Sequence, residues 1–171
     1  MKRIIYILII ASFACASSGA YGQNDDDPVI KIFNKYENRE GAEFITISPA
    51  LFGLIKNGNP SDKKTQELIS KITGLSILTL SDGVDGKGRA GREALATELQ
   101  AVVKKDFEEI MKVKSSGESS ELYVRNCKNC KAALLFISSS INSVTVLHLT
   151  GTIDKTMIDA VMNGEIGISN K

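Results

Sequence analysis

The stretch LSILTL, residues 75–80, opens the part of the chain whose order of elements decides the fold. Its aliphatic run, bounded by Gly74 and by a glycine-rich segment, predicts a buried strand. Apolar residues at helical spacing then predict the longest helix over Arg92–Glu109. Beyond that helix the apolar period changes to two, which predicts a hairpin over Met111–Asn126 with its turn at Ser115–Ser120.

Three further elements complete the order. The block AALLFI, residues 132–137, predicts a well-buried helix over Lys128–Ser140, and VTVLHL, residues 144–149, predicts a strand. A last helix over Asp154–Met162 starts at a capping aspartate. From Leu75 the order is strand, helix, strand, strand, helix, strand, as in the ferredoxin-like βαββαβ arrangement. We expect a single α+β domain with an antiparallel or mixed sheet, a central hairpin and both helices on one face.

The segment before Leu75 predicts a short helix that ends near Gly41, a strand over Phe44–Ile47, a helix over Ser48–Ile55 and a helix that ends at Gly74. The second of these helices begins with a serine N-cap and a first-turn proline. We expect these elements to extend the sheet or to cover one side of it.

Composition sets the class of the protein. The chain has 171 residues, of which 43% are hydrophobic and 24% charged, so it is long and apolar enough for one globular core. We expect one domain over residues 29–163 and a tail over residues 164–171. The 21 basic residues are balanced by 20 acidic ones, so the chain lacks the basic excess that a nucleic-acid groove needs.

The first residues resemble a secretory signal. Met1-Lys2-Arg3 is a positive start, and Ile4–Phe13 is an apolar run too short for a permanent membrane span. We expect a signal peptide over residues 1–22, followed by a solvated acidic leader over residues 23–28, and therefore a periplasmic or secreted protein. Lipid anchoring through Cys15 is the alternative.

Four stretches carry a resemblance to the bacterial envelope family catalogued as domain-of-unknown-function family 4252. They are Ile47–Phe52, Ile77–Leu80, Glu109–Lys114 and Val146–Asp154. The resemblance extends over roughly Pro28–Val161. It implies an exported protein with an α+β domain and no established activity, and it supplies no catalytic residues.

Cys127 and Cys130 are the cysteines that remain after signal cleavage, and they are not part of that family pattern. In an oxidising compartment this spacing favours a structural disulfide. A redox pair is the alternative, with Cys127 as the nucleophile and Cys130 as the resolving thiol, because the pair opens the predicted helix over Lys128–Ser140. However, no proline follows the pair, as the thioredoxin fold requires. Metal binding would need two further ligands.

The segment GKGRAG, residues 86–91, matches the dinucleotide-binding pattern G-x-G-x-x-G between a strand and a helix. No parallel strand and no ribose-binding acid follow it, so we interpret it as a loop and expect no cofactor. Asp82 and Asp85 lack the ligand ladder of a calcium loop, and we expect no metal there.

His148 is the single histidine of the chain, which limits metal binding and hydrolysis. It alternates with Leu147 and Leu149 in a predicted strand, so we expect a surface or hydrogen-bonded residue. We expect Glu98 and Glu108 to lie on the solvated side of the long helix.

These observations favour a non-enzymatic binding or sensing module of the cell envelope. We expect protein partners, no nucleic acid, no catalytic residues and no membrane span in the mature chain. The alternative is an exported thiol oxidoreductase or redox sensor that uses Cys127 and Cys130.

Overall fold

The computed structural model describes residues 26–57, 63–83, 88–126 and 132–163. Along these ranges the elements are α1 (Pro28–Tyr36), β1 (Ala42–Ile47), α2 (Pro49–Asn57), α3 (Lys63–Lys71), β2 (Ile72–Ser81), α4 (Arg89–Asp106), β3 (Glu108–Ser115), β4 (Glu118–Arg125), β5 (Ala133–Ser139), β6 (Ser143–Gly151) and α5 (Lys155–Met162).

The strands of these ranges form one six-stranded sheet in the order β1-β2-β6-β5-β4-β3. Each neighbouring pair is antiparallel. Strands β1 and β3 are therefore the two edges, and β2, β6, β5 and β4 lie inside. The predicted α+β class is confirmed, with an antiparallel sheet.

Helices pack on both faces of this sheet because its inner strands are apolar on both sides. Along β2, Leu78 and Leu80 pack with α1 and α4, whereas Leu75 and Ile77 pack with α2, α3 and α5. We call the first side the α1/α4 face and the second the α2/α3/α5 face. Each face has its own apolar core, and alternation along the strands separates the two cores.

The prediction of a helix over Lys128–Ser140 is wrong, because Ala133–Ser139 is strand β5. Ala133, Leu134 and Leu135 are all completely buried, since helices cover both faces of the sheet at this inner strand. A strand of this kind has no alternation, so a short apolar run cannot be told from a buried helix by periodicity.

This error changes the predicted topology. One helix and then four consecutive strands follow β2, so the βαββαβ order is not formed. The hairpin expected over Met111–Asn126 does form, as β3 and β4, and Gly117 at its turn has a φ of 81°. It lies at the edge of the sheet and not at its centre.

Two predicted helix ends are shifted for the same physical reason. The longest helix ends at Asp106, where Phe107 adopts extended backbone angles, and Ile110 belongs to β3 although it continues the helical spacing. Likewise Gly74 lies inside β2, next to a register shift, and does not close α3. Apolar spacing continues across a helix-to-strand junction, so it does not mark where the backbone changes.

Candidate functional site

A buried ionic cluster lies on the α1/α4 face, and it consists of Asp27, Arg125 and His148. Asp27 immediately precedes α1, Arg125 ends β4, and His148 lies in β6. Strand β5 separates β4 from β6 and contributes Leu135 directly beside His148. The sheet therefore brings Arg125 and His148 together, and the start of α1 covers them.

Asp27 is the centre of the cluster. Its Oδ1 atom accepts a hydrogen bond from the backbone N–H of Val29 at 2.9 Å, which caps α1. Its Oδ2 atom accepts a hydrogen bond from Nη2 of Arg125 at 2.5 Å and lies 3.7 Å from Nε2 of His148. The three side chains are 8%, 9% and 2% exposed, so water screens this charge pair very little.

The prediction left two alternatives for His148, and a surface position is wrong, because the side chain is 2% exposed. The imidazole does point away from the side that holds Leu147 and Leu149, but α1 covers that face as well. The Phe33 ring of α1 meets the imidazole edge-on at a centroid distance of 6.4 Å. Nε2 of His148 is buried without a hydrogen-bond partner in the described part of the chain.

Burial sets the protonation state of His148. It lowers the pKa of His148 to about 4, while the Asp27 carboxylate opposes this shift and the Arg125 guanidinium adds to it. Burial alone would raise the pKa of Asp27. The charge of a protonated His148 and the hydrogen bond from Arg125 outweigh burial, so the pKa of Asp27 lies below its ordinary value. The cluster therefore contains one ion pair and a neutral imidazole at pH 7.

The cluster contains a carboxylate and an imidazole, which are two of the three groups of a hydrolytic triad. The third group would be a hydroxyl, and the serine beside His148 on the neighbouring strand is buried. Ser76 is the residue of β2 that pairs with His148 in register. Ser76 is 7% exposed, and its hydroxyl lies 3.2 Å from the hydroxyl of Thr46. A hydrolytic triad needs a nucleophile that substrate can reach, and the buried Ser76 hydroxyl does not meet this requirement.

Sequence reasoning missed Asp27 because it placed residues 23–28 in a solvated leader. Pro28 is the first residue of α1, and an aspartate directly before such a proline is an N-cap signature. That local signal was available in the sequence. The pairing of Asp27 with Arg125 was not, because the two residues lie 98 positions apart.

Other predicted site residues also form structural contacts. Glu98 accepts hydrogen bonds from the Tyr36 hydroxyl at 2.8 Å and from Nζ of Lys35 at 2.5 Å, so it links α4 to α1 and is not simply solvated. Glu108 is exposed, as expected, but it lies in β3. Asp82 forms a two-point ion pair with Arg92 at 2.7 and 3.1 Å.

Close packing explains one glycine of the segment 86–91. A Cβ atom at Gly88 would lie 2.3 Å from the carbonyl oxygen of Ser81, so no side chain fits there. Residues 84–87, which include Gly86 and Asp85, lie outside the described residues. Within the described ranges, no cluster of histidine, cysteine, aspartate and glutamate could hold a metal ion.

Cys15, Cys127 and Cys130 also lie outside the described residues, as does the predicted signal peptide. Strand β5 nevertheless removes one argument for redox chemistry. The pKa of Cys127 was expected to fall at the N-terminus of a helix over Lys128–Ser140, and most of that range is a strand.

Strand β1 and helix α2, which follow each other in the chain, both carry exposed apolar side chains, and we call this set of side chains the apolar edge surface. It comprises Ile45 of β1 and Leu51 and Leu54 of α2, which are 52%, 44% and 69% exposed. Among the described strands, β1 pairs with β2 alone, so its outer side is an edge of the sheet with backbone groups that no described strand pairs.

The fold and the site define an α+β domain whose antiparallel sheet is covered by helices on both faces and which buries an ion pair between Asp27 and Arg125. The chain belongs to the family described as domain of unknown function (DUF4252), whose family model matches residues 36–161. No curated protein and no solved structure matches the chain. Among the described helices, none combines the length and the hydropathy needed to cross a membrane.

Proposed function

We propose that this protein is a non-enzymatic binding module of the cell envelope that binds an extended segment of another polypeptide along β1. The exposed apolar side chains of the apolar edge surface carry this proposal. An unpaired edge strand selects an extended backbone, which it binds through main-chain hydrogen bonds. Ile45, Leu51 and Leu54 then provide apolar contacts for the side chains of that segment.

The two edges of the sheet differ in a way that supports β1 as the binding edge. Strand β3 has a register irregularity between Glu109 and Met111, and it carries Lys112 and Lys114. Bulges and lysines are the usual protection of an edge strand against pairing. Strand β1 has the sequence AEFITI and pairs with β2 in an unbroken register, so it lacks both devices.

Site-specific photocrosslinking tests this proposal. A benzophenone amino acid replaces Ile45 in one variant and Val113 of β3 in a matched control, because both side chains are 52% exposed on edge strands. We expect position 45 to crosslink a defined polypeptide in native envelopes and position 113 to give no such product.

The identified polypeptide is then added to the purified chain. We expect the amides of Ala42–Ile47 to become protected from hydrogen exchange, and Leu54→Asp to weaken binding at least 10-fold. Equal crosslinking at positions 45 and 113, or binding without protection of β1, would show that the proposal is wrong. Crosslinks to copies of the chain alone would also contradict it.

The envelope location is part of the proposal, and the sequence supports it through the positive start, the apolar run Ile4–Phe13 and the small residues before Gln23. Cleavage after Gly22 predicts a mature chain that begins at Gln23. The intact mass of the chain from an envelope fraction tests this, and recovery of the uncleaved chain from the cytoplasm would contradict it.

A further inference from the structure

We propose that Asp27, Arg125 and His148 form an acid-sensitive latch that holds the start of α1 on the sheet and releases it when His148 takes up a proton. This inference is independent of the binding surface on β1. It rests on the burial of the cluster, on the buried Nε2 atom of His148 3.7 Å from a carboxylate oxygen that Arg125 already uses, and on the way α1 is attached.

The latch holds one end of a helix that covers much of the α1/α4 face. Four residues of α1 are buried there, namely Val29, Ile32, Phe33 and Tyr36. At the far end, the Tyr36 hydroxyl and Lys35 are fixed to Glu98 of α4. At the near end, Asp27 provides the ionic contact with Arg125 of β4. Among the described residues, polar contacts thus hold both ends of α1, and the histidine lies at the Asp27 end.

The closed latch gives a proton on His148 little compensation. Among the described residues, the charged side chains that act on His148 are Asp27 and Arg125, which are already paired with each other. The residues beside it are Ser76 from β2, Leu135 from β5 and Phe33 from α1.

A proton on Nε2 of His148 has the Asp27 carboxylate at 3.7 Å as its counter-ion, and Arg125 already uses the same oxygen. A protonated imidazole therefore places a second positive charge near the buried Arg125 guanidinium, with no carboxylate oxygen of its own. Lifting the start of α1 exposes all three groups to water and removes that cost.

The direction of the coupling follows from the two protonation equilibria. In an open state, with water around the imidazole, His148 has its ordinary pKa of 6.5, while in the closed state the pKa is about 4. As the pH falls below 6.5, protons bind to the open state first and increase its population. At pH 5 the opening constant is expected to be about 30-fold larger than at pH 7.5.

The latch also joins a part of the chain that the family model matches to a part that precedes the match. Arg125 and His148 lie within the residues that match the family model, which begins at Tyr36. Asp27 and the first residues of α1 precede that match. The proposed device therefore couples the region N-terminal to the matched domain to the sheet.

Hydrogen exchange of the full chain, corrected for the intrinsic effect of pH, tests the latch. We expect exchange of Val29–Tyr36 to accelerate about 30-fold between pH 7.5 and pH 5, and His148→Gln to abolish this acceleration. Glu98→Gln is the matched control, because it loosens the other end of α1 without removing the histidine. It should raise exchange at every pH and preserve the 30-fold ratio.

A second measurement does not depend on any variant folding. His148 is the single histidine of the chain, so one imidazole resonance in the NMR spectrum reports its protonation. We expect this resonance to titrate below pH 6.5, together with a loss of protection in α1. A titration at the ordinary pKa with α1 fully protected, or acceleration that persists in His148→Gln, overturns the proposal.

Discussion

Oδ2 of Asp27 and Nη2 of Arg125 are 2.5 Å apart, although the two residues are separated by 98 positions in the sequence. This ion pair connects the start of α1 to the end of β4. The guanidinium also lies 5.0 Å from the centroid of the Phe107 ring. Both charges are buried, so the loss of one partner removes compensation from the other at a site that water hardly reaches.

Removal of one partner of this pair should destabilise the protein strongly. Arg125→Met removes the guanidinium but keeps apolar bulk, and it leaves the Asp27 carboxylate buried and unpaired. We expect the free energy of unfolding to fall by about 3–5 kcal/mol in urea denaturation. Arg89→Met is the control, because the exposed Arg89–Glu93 pair contributes less than about 1 kcal/mol. A loss below about 1 kcal/mol for Arg125→Met would contradict the assigned role.

Stability should decrease in mild acid because of His148. Its pKa is about 4 in the folded protein and 6.5 when exposed, so the unfolded chain binds the proton first as the pH falls. The contribution is complete above pH 6.5 and is lost progressively down to about pH 4. We expect a loss of about 2 kcal/mol between pH 7 and pH 5.

The same denaturation series separates His148 from Asp27. The pKa of Asp27 is lowered from 3.8, so its contribution is present above that value and is lost only in stronger acid. His148→Gln should therefore remove the pH dependence between pH 7 and pH 5. An unchanged slope between pH 7 and pH 5 in that variant would exclude His148 as its source.

Local signals in the sequence predicted the elements that have an amphipathic face or a defined end. Leu95, Leu99 and Val103 lie on one buried side of α4, and Gly117 marks the hairpin turn. Strand β5 could not be predicted in this way, because complete burial on both faces removes the alternation that identifies a strand.

The candidate site could not be predicted from the spacing of apolar residues, because that spacing does not show which elements pack together. Periodicity correctly placed His148 opposite Leu147 and Leu149, but which helix covers that face depends on the topology of the whole sheet. The contact between Asp27 and Arg125 is likewise set by the position of α1 on that sheet. Only the capping role of Asp27 was written in its local sequence.

Replacement of two consecutive leucine side chains by alanine tests whether β5 is buried on both faces of the sheet. Leu134 and Leu135 are both completely buried, and they belong to the cores on opposite faces of the sheet. We expect Leu134→Ala and Leu135→Ala each to cost about 2–5 kcal/mol of unfolding free energy. Ile141→Ala is the control, since Ile141 is 75% exposed, and it should change stability by less than about 0.5 kcal/mol. A small effect at either leucine would be inconsistent with helices on both faces.

Substitution by alanine should change the stability of the protein in opposite directions at Gly53 and at Gly117. A Cβ atom meets nothing within 4 Å at Gly53 or at Gly117, so only backbone conformation distinguishes them. Gly53 lies inside α2, where alanine is favoured by about 1 kcal/mol. Gly117 has a φ of 81°, which alanine adopts at a cost, and we expect a loss of about 1 kcal/mol or more. Thermal unfolding of both variants measures the two signs, and equal shifts would contradict the turn geometry.

The last prediction concerns Cys127 and Cys130, which lie outside the described residues. If the chain is exported and cleaved after Gly22, Cys15 is removed and an even number of cysteines remains in an oxidising compartment. We expect one intramolecular disulfide. Because it closes a very short loop, its contribution should be smaller than the roughly 3 kcal/mol of a 15-residue loop. The double variant Cys127→Ser/Cys130→Ser should therefore keep its fold and most of its stability. Mass spectrometry after alkylation without reduction tests the bridge, and two alkylated thiols in the exported protein would show that it does not form. The same measurement tests the cleavage site, because a lipid on Cys15 would show that the predicted cleavage does not occur.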